Sequence, residues 1–530
     1  MRSEKLDDLV VGDVLRHRAI THRTETFLKF HEGELSYGDV DSMTDRVAGG
    51  LAAQGVGSGQ HVAVMLPNCP DFLFTIFALA RLGAVAVPVN TAHQGELLGH
   101  VLASSDSSAM IIDAAYADRL TPLAHRLPGL GRVIVRGALE RPIGKAVLPF
   151  SELLAHGAEP VSRAVAFSDL LAIMYTSGTT GPSKGAMCSH ALALTCAIDS
   201  LDYLDRWGKT IYCPLPLFHA AGLWDGVFSA MVGGGAIAVT DRFHASRFWD
   251  DVRAFDAKVC MSVFSMIPIL LNKPETPRDK DHPLETFYMG KSILDEPLLA
   301  RFGVRSAETY TSTEAGIVTG SPYGEWRLGS CGTPNERRFD VGVVDAHDHL
   351  LGPGEPGELV VRPKQPFVIT TGYYGAPDAT AEAFRNLWYH TGDRGYRDED
   401  GYYFFLDRMK DAIRRRGENI SAFDLECEVN LHPDVVECAA TGVPSELEEE
   451  DVKLTVVLRP GSTVDPEELV AFCEDRLPRF MVPRYIEYVD ALPRTPTDKV
   501  AKYRLKEQGD HGLTEATWDR EADSRTERTA

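Results

Sequence analysis

The chain has 530 residues, of which 44% are hydrophobic and 25% charged, and its formal net charge is −22. A chain of that size and balance buries a large core and divides into several domain-sized units. The acidic balance excludes a nucleic-acid surface, which needs concentrated lysine and arginine, and excludes adsorption to anionic membranes.

From the start, "MRSEKLDDLVVGDVLRHRAI" lacks the apolar core of a signal peptide. The segment 61–66, "HVAVML", is a predicted strand. "FLFTIFALARLGAVAVPVN" over 72–90 is the most lipid-like stretch. Arg81, Gly83 and Pro88 interrupt it, so it reads as a helix stopped at Gly83 and followed by a buried strand, not as a membrane span. "SAMIID", "RVIV" and "GAIAVT" continue an alternation of strands with helical patterns, which predicts an α/β fold. From about Arg338 the rhythm becomes antiparallel, with "FDVGVVD", "GELVVR" and "GYYFFLD" as strands and 351–358 as a turn. A small α+β unit follows, with helices over 422–432 and 465–477 and strands between them; Asp465 is the expected N-cap. The polar, charged stretch from His511 to Ala530 reads as a disordered tail. The nine cysteines show no CxxC spacing, so no zinc site is expected; reduced, mostly buried thiols and a cytoplasmic location are.

One loop bears directly on chemistry. "YTSGTTGPSKG" (175–185) follows the apolar run "DLLAIM". Glycines expose backbone N–H groups, hydroxyls add donors, and Lys184 adds a point charge suited to phosphate. It is not a Walker A loop, because Lys184 is preceded by Ser183 and followed by Gly185. "GVGSGQ" (55–60) is not a dinucleotide fingerprint either. Taken alone, the loop fits a phosphate cradle and a plain linker equally well. Other residues are also unremarkable singly. Asp393 reads as a solvated turn residue, Glu314 as an acid at a helix N-terminus, and Lys499 as a surface lysine. His219 reads as a core histidine, and 414–416 and the acidic run 445–451, "SELEEED", as solvated surface.

Taken together, and in order, the segments resemble the adenylate-forming superfamily of acyl-CoA synthetases, peptide-synthetase adenylation domains and luciferases. The loop is similar to that family's phosphate signature, with the proline one place early as in carnitine-CoA ligase-like members. "PLPLFHAAG" (214–222) resembles the acyl-pocket segment, and "ETYTSTEAG" (308–316) the YGxTE motif. The stretch 389–421 resembles the ribose-binding and hinge region, and "LPRTPTDKVAKYRL" (492–505) the catalytic-lysine motif. The resemblance covers about residues 10–508.

It implies a large, multi-subdomain N-terminal adenylation domain over 1–406 and a hinge over 407–410 pivoting at Lys410. A small, mobile α+β C-terminal domain over 411–508 and a tail over 509–530 complete the organisation. The implied reaction is ATP- and Mg2+-dependent activation of a small-molecule carboxylic acid as its adenylate, then transfer to coenzyme A. Thr176, Ser177, Gly178, Thr179, Thr180, Gly181 and Lys184 would hold phosphates, and Glu314 would ligate Mg2+. Thr313 would meet the α-phosphate, Asp393 and Arg408 the ribose, and Lys499 the α-phosphate and attacking carboxylate. Gly290, Lys291, Ser292, Tyr310, Thr311 and Ser312 would surround nucleotide and acid; His219 would line the route to the acid pocket. Gly417 and 414–416 would lie near coenzyme A. A homodimer is conceivable.

Three departures from the family pattern stand out. Thr311 replaces a glycine, implying a smaller or more polar acid pocket; Lys291 introduces a cation beside it; Asp498 replaces the glycine before Lys499. Phe218 and Trp224 weakly favour an aromatic acid. The alternatives are a coenzyme A-independent adenylate former, either a nitrite-activating diazotase acting on an aromatic amine or a carrier-loading ligase, and an inactive nucleotide-binding homologue.

Overall fold

The computed structural model describes residues 5–159, 161, 163–176, 183–263, 266–271, 273–290, 292–408, 412–445, 449–493, 500 and 502–522. By contacts the chain forms two units. One comprises Met1–Thr91, Val101–Tyr175 and Gly185–Met409; the other comprises Ala92–His100, Thr176–Lys184 and Lys410–Ala530.

Two seven-stranded sheets build the first unit. In one, Thr286–Tyr288, Val259–Met261, Ile211–Cys213, Ile237–Val239 and Thr26–Phe30 run parallel, with the hairpin partner Gly33–Ser36 at the edge. The other carries His61–Met65 between Val85–Pro88 and Ala109–Asp113, again parallel, and ends with Leu170–Thr176 and Lys184–Ser189. Parallel sheets of this kind are buried on both faces, which is why their strands are continuous apolar runs. The helix Pro70–Leu82 begins with proline in its first turn and stops at Gly83, which is left-handed (φ 65°). The next strand, Val85–Pro88, is wholly buried. Among the described residues no helix is long and apolar enough to cross a membrane. Beyond these sheets, Phe339–Val344, Gly357–Pro363, Tyr389–Arg397 and Tyr403–Arg408 form the antiparallel sheet that the change of rhythm near Arg338 predicted.

Ion pairs lock three helices of this unit together. Arg81, buried in Pro70–Leu82, pairs with Asp41 and, at 2.7 Å, with Asp45 of Tyr37–Ala53. Arg16 of Val11–Thr21 reaches the same two carboxylates at 2.6 Å each. At the start of the helix His190–Leu204, Ser189 Oγ accepts the Leu192 N–H, and His190 Nδ1 accepts the Val11 N–H at 3.2 Å. Eight described cysteines are free, and all but Cys69 are buried.

In the second unit, Val435–Pro444, Glu450–Leu458, Tyr485–Tyr488 and Trp518–Asp519 make one sheet, and Ala412–Arg415 with Glu418–Ser421 a hairpin. Pro466–Glu474 is capped by Asp465, whose carboxylate accepts the Glu468 N–H. Three sequence expectations are corrected here. The stretch 509–522 is ordered, because Trp518–Asp519 pairs with Tyr485–Ile486 and Arg484 grips both Asp519 carboxylate oxygens at 3.0 and 3.1 Å. Lys453, 1% exposed, reaches Glu487 and the Gly512 carbonyl. Residues 523–530 lie outside the description. The end of the acidic run is also not solvated surface. Glu449 and Asp451 are buried, Glu449 accepts the Gly417 N–H, Glu450 accepts the Arg414 N–H, and Asp451 pairs with Arg415 at 2.8 Å. Arg415 likewise leaves the solvated face expected for 414–416, being 2% exposed on its side chain.

Burial pulls the His190 imidazole down to about 4, only partly opposed by the charge of Asp169. The unfolded chain takes a proton near pH 6.5 that the folded chain refuses. This contribution, about 3 kcal/mol, is therefore present above that pH and is lost as pH falls toward 4. His190→Asn keeps an acceptor for Val11 and is expected to flatten the loss of melting temperature between pH 6.5 and 4. An acid limb identical to the parent's would remove His190 as its source.

Candidate active site

The hairpin Thr309–Ser312/Gly316–Gly320 positions the first group of predicted residues, with a register irregularity between Tyr310 and Thr311. Its turn carries Thr313 and Glu314, and Ser312 Oγ accepts the Ala315 N–H at 3.1 Å. Gly316 closes the turn at φ 62°, and a Cβ there would stand 3.3 Å from Cys196 Cβ on the helix His190–Leu204. Only glycine takes both the conformation and the close approach cheaply.

Glu314 is buried and held at two points. Its carbonyl accepts the Thr370 N–H at 2.6 Å, and its carboxylate accepts the Tyr373 hydroxyl at 3.2 Å. The same short segment is tied to the strand that leaves the glycine-rich loop. Met187 N–H donates to the Gly372 carbonyl at 2.9 Å, Tyr374 N–H to the Gly185 carbonyl at 2.8 Å, and Thr370 Oγ1 to the Met187 carbonyl at 2.9 Å. Sequence reasoning missed Thr370 and Tyr373; the only local signal was "TTGYYG", small residues around paired aromatics.

Asp393 is the second buried carboxylate. Tyr310 Oη donates to it at 2.6 Å, and the Asp393 N–H donates to Thr391 Oγ1 at 3.1 Å. Glu358 of the neighbouring strand anchors the residues before it, accepting from His390 Nδ1 at 2.9 Å and from the Gly392 N–H at 3.0 Å. Arg408 stands opposite Asp393 across the antiparallel pair; its side chain is outside the described structure. Burial, the charge of Glu314 and the neighbouring Tyr373 and Tyr310 push the Tyr389 phenol well up. Tyr310 and Tyr373 each present a hydroxyl to one of the two carboxylates.

Gly290 and Ser292 follow the strand Thr286–Tyr288. Met289 between them and the strand is left-handed at φ 66°, a strained conformation for a side chain of that size. Ser292 N–H donates to Glu308 at 2.7 Å, and Ser292 Oγ accepts the Gly329 N–H at 2.9 Å. His219 is half-buried against Phe218, with ring centres 4.6 Å apart. A π-helical segment, Ala221–Phe228, follows it. It carries Trp224, wholly buried in the core.

Thr176 ends the strand Leu170–Thr176 and Lys184 begins Lys184–Ser189, both half-buried. Ser177, Gly178, Thr179, Thr180, Gly181, Lys291, Lys410, Asp498 and Lys499 lie outside the described residues. In the second unit Gly417, at φ 80°, forms the hairpin tip with Arg416 at φ 54°. Among the described residues no three His, Cys, Asp or Glu side chains group as a metal cage. A lone Glu314 instead suits Mg2+, which keeps most of its waters and takes one or two carboxylates plus substrate phosphates.

Two largely parallel α/β sheets, with one buried carboxylate in an antiparallel hairpin turn and a second on the antiparallel sheet, define the class of fold. The chain belongs to the AMP-binding enzyme family: the family model matches residues 15–374, and that of the AMP-binding enzyme C-terminal domain matches 424–499. It is 31% identical to a crotonobetaine/carnitine–CoA ligase of Citrobacter koseri, over 94% of this chain and all of that one. An o-succinylbenzoate–CoA synthetase of Bacillus subtilis, 24% identical, has the same fold, with a TM-score of 0.81 over 94% of this chain and 99% of that one. ATP-bound MatB from Rhodopseudomonas palustris is 26% identical, with a TM-score of 0.68 over 94% and 98%.

Tyr310→Phe removes a buried hydrogen bond to a carboxylate, a loss of about 1.5–3 kcal/mol. The expected outcome is a melting temperature lowered by several degrees; unchanged melting would mean that the Tyr310–Asp393 bond carries no weight.

Proposed function

We propose that this chain is an ATP-dependent, AMP-forming acid–CoA ligase acting on a small-molecule carboxylic acid. The observation that carries the reading is the placement of Glu314 and Asp393. Both stand at the family's motif positions, buried and oriented by tyrosine hydroxyls, in a chain similar to coenzyme A ligases over nearly its whole length. Nothing in the described side chains or the matched relatives favours nitrite activation, carrier loading or an inactive homologue.

In the first half-reaction the acid's carboxylate oxygen attacks the α-phosphorus of ATP and pyrophosphate leaves. Two anions must meet, so the protein's task is charge compensation and alignment. In our assignment the loop 176–185, with Lys184, holds the leaving phosphates. Thr313 donates to the α-phosphate, and Asp393 accepts the ribose hydroxyls with Arg408 beside it. Glu314 is the carboxylate that would hold Mg2+, which supplies positive charge at the phosphate oxygens when bound. Gly290, Lys291, Ser292, Tyr310, Thr311 and Ser312 border adenine and acid, and His219 lines the acid's entry. Lys499 brings a cation to the attacking carboxylate, and Lys410 is the pivot that lets it come and go. In the second half-reaction the thiol of coenzyme A attacks the acyl carbon, AMP leaves, and Gly417 marks the hairpin nearest the thiol donor.

With a panel of carboxylic acids and ATP, AMP release is expected to depend on coenzyme A. Turnover indifferent to coenzyme A across the panel would sink the ligase assignment. Lys499→Ala is expected to slow pyrophosphate release by roughly 10²–10³-fold, the cost of removing one charge-stabilising group. Pyrophosphate release at the parent rate would remove Lys499 from the first half-reaction.

A further inference from the structure

Asp225 lies on the π-helical segment just beyond His219 and is 2% exposed. Ser200 Oγ donates to its Oδ1 at 2.6 Å, and Cys196 Sγ to the same oxygen at 3.3 Å. Tyr288 Oη donates to Ser200 Oγ at 3.2 Å, so Ser200 is aimed from behind. Among the described residues Oδ2 accepts no hydrogen bond, and no lysine, arginine or histidine pairs with Asp225.

Several other buried carboxylates of this protein carry a cation. Asp45 is paired with Arg16 and Arg81, Asp199 with Arg337 and Arg338, Asp451 with Arg415 and Arg484, and Glu487 with Lys453. A carboxylate removed from water without a cation is costly and is retained where a partner arrives from elsewhere. Burial pushes Asp225 up to about 6, against the two hydrogen bonds that pull it down, which leaves it largely ionised at neutral pH.

The surroundings of Asp225 are those of the candidate site. Tyr288 immediately precedes the strained Met289 and Gly290. Cys196 is the side chain against which Gly316, two residues from Glu314, closes its turn. The π-helical segment continues directly from His219. A carboxylate with one oxygen fixed and the other uncommitted, between these three elements, is built to receive a donor.

We propose that Asp225 is a specificity-determining residue of the acid pocket. Its Oδ2 takes an N–H donor, an amino group carried by the carboxylic acid substrate, while Ser200 and Tyr288 hold the carboxylate in position. This rests on the ligase reading above and names the class of acid, an amino-substituted carboxylic acid. A charge-assisted N–H bond in a dry pocket discriminates against an isosteric methyl group because the methyl leaves the carboxylate unanswered.

The test pairs amino-substituted acids with their methyl isosteres, aminobenzoates against toluates and ω-amino acids against the corresponding methyl-terminated acids. ATP-dependent pyrophosphate release is followed on the full-length protein. The parent is expected to favour the amino member of at least one pair by roughly tenfold or more in kcat/KM. Asp225→Asn retains an acceptor for Ser200 and Cys196 and is expected to erase that preference, chiefly through KM of the amino acid, with the methyl isostere changed less than about threefold. Equal losses on both members, or a preference that survives Asp225→Asn and Asp225→Ala, would overturn the assignment and leave Asp225 a structural residue. If acids are turned over with coenzyme A but the parent shows no amino preference, this inference fails and the ligase reading stands. If no acid is turned over, the ligase reading fails. Calorimetric titration of the same pairs then decides the pocket, where equal affinity of both members overturns it.

Discussion

The segment 370–374 is the constraint on which the first unit's site hangs. Its backbone bonds the strand Lys184–Ser189 at Gly185 and Met187, and its Thr370 N–H and Tyr373 hydroxyl hold both ends of Glu314. The exit of the glycine-rich loop and the acidic hairpin turn are therefore fixed relative to each other by backbone hydrogen bonds. Such a linkage needs no reorganisation when charge develops, which is the property a site for two reacting anions requires.

Three irregularities of the unit fall at or beside predicted site residues. Gly316 is left-handed where the hairpin turns over Cys196, and Met289 is left-handed although it is not glycine. Thr311, which replaces the family's glycine, sits at the register irregularity after Tyr310. A bulge re-aims the side chains on either side of it. The unpaired residue is Val318, on the strand Gly316–Gly320 that faces Tyr310 and Thr311. The departure seen in the sequence thus coincides with a local distortion of the hairpin.

Much of the architecture was legible because it rests on local rules. Apolar runs between helical patterns gave parallel sheets, Pro70 and Gly83 bounded a helix, and Asp465 capped another. The motif positions of Glu314 and Asp393 were readable too, but their surroundings were not. Tyr310 and Asp393 are 83 residues apart, and the Tyr373 that orients Glu314 is 59 residues away. No periodicity connects such pairs. The C-terminal stretch misled for the same reason. Its polarity argues for disorder until Arg484, just before the strand Tyr485–Tyr488, and Lys453, in Glu450–Leu458, are seen to meet Asp519, Glu487 and the Gly512 carbonyl. The acidic run likewise looked solvated because the arginine and backbone donors that bury it come from a separate hairpin.

Buried charge therefore separates framework from site in this molecule more sharply than motif does. Asp199 is enclosed by Arg337, Arg338 and Asn335 and is neutralised within the fold. It welds the helix His190–Leu204 to the chain entering the antiparallel sheet, and a ligand could add nothing to it. Asp225 faces the same helix from the π-helical segment, yet only neutral donors answer it, and both choose one oxygen. A core that neutralises Asp199 with two arginines has the means to neutralise Asp225, or to replace it with an apolar residue at little cost. Asp225 is instead a buried carboxylate with no cation among the described residues, which is the feature that the proposed amino-group contact would answer. On the proposed assignment, the polarity of the acid pocket expected from Thr311 on sequence grounds would have a second origin in a residue that no motif singled out.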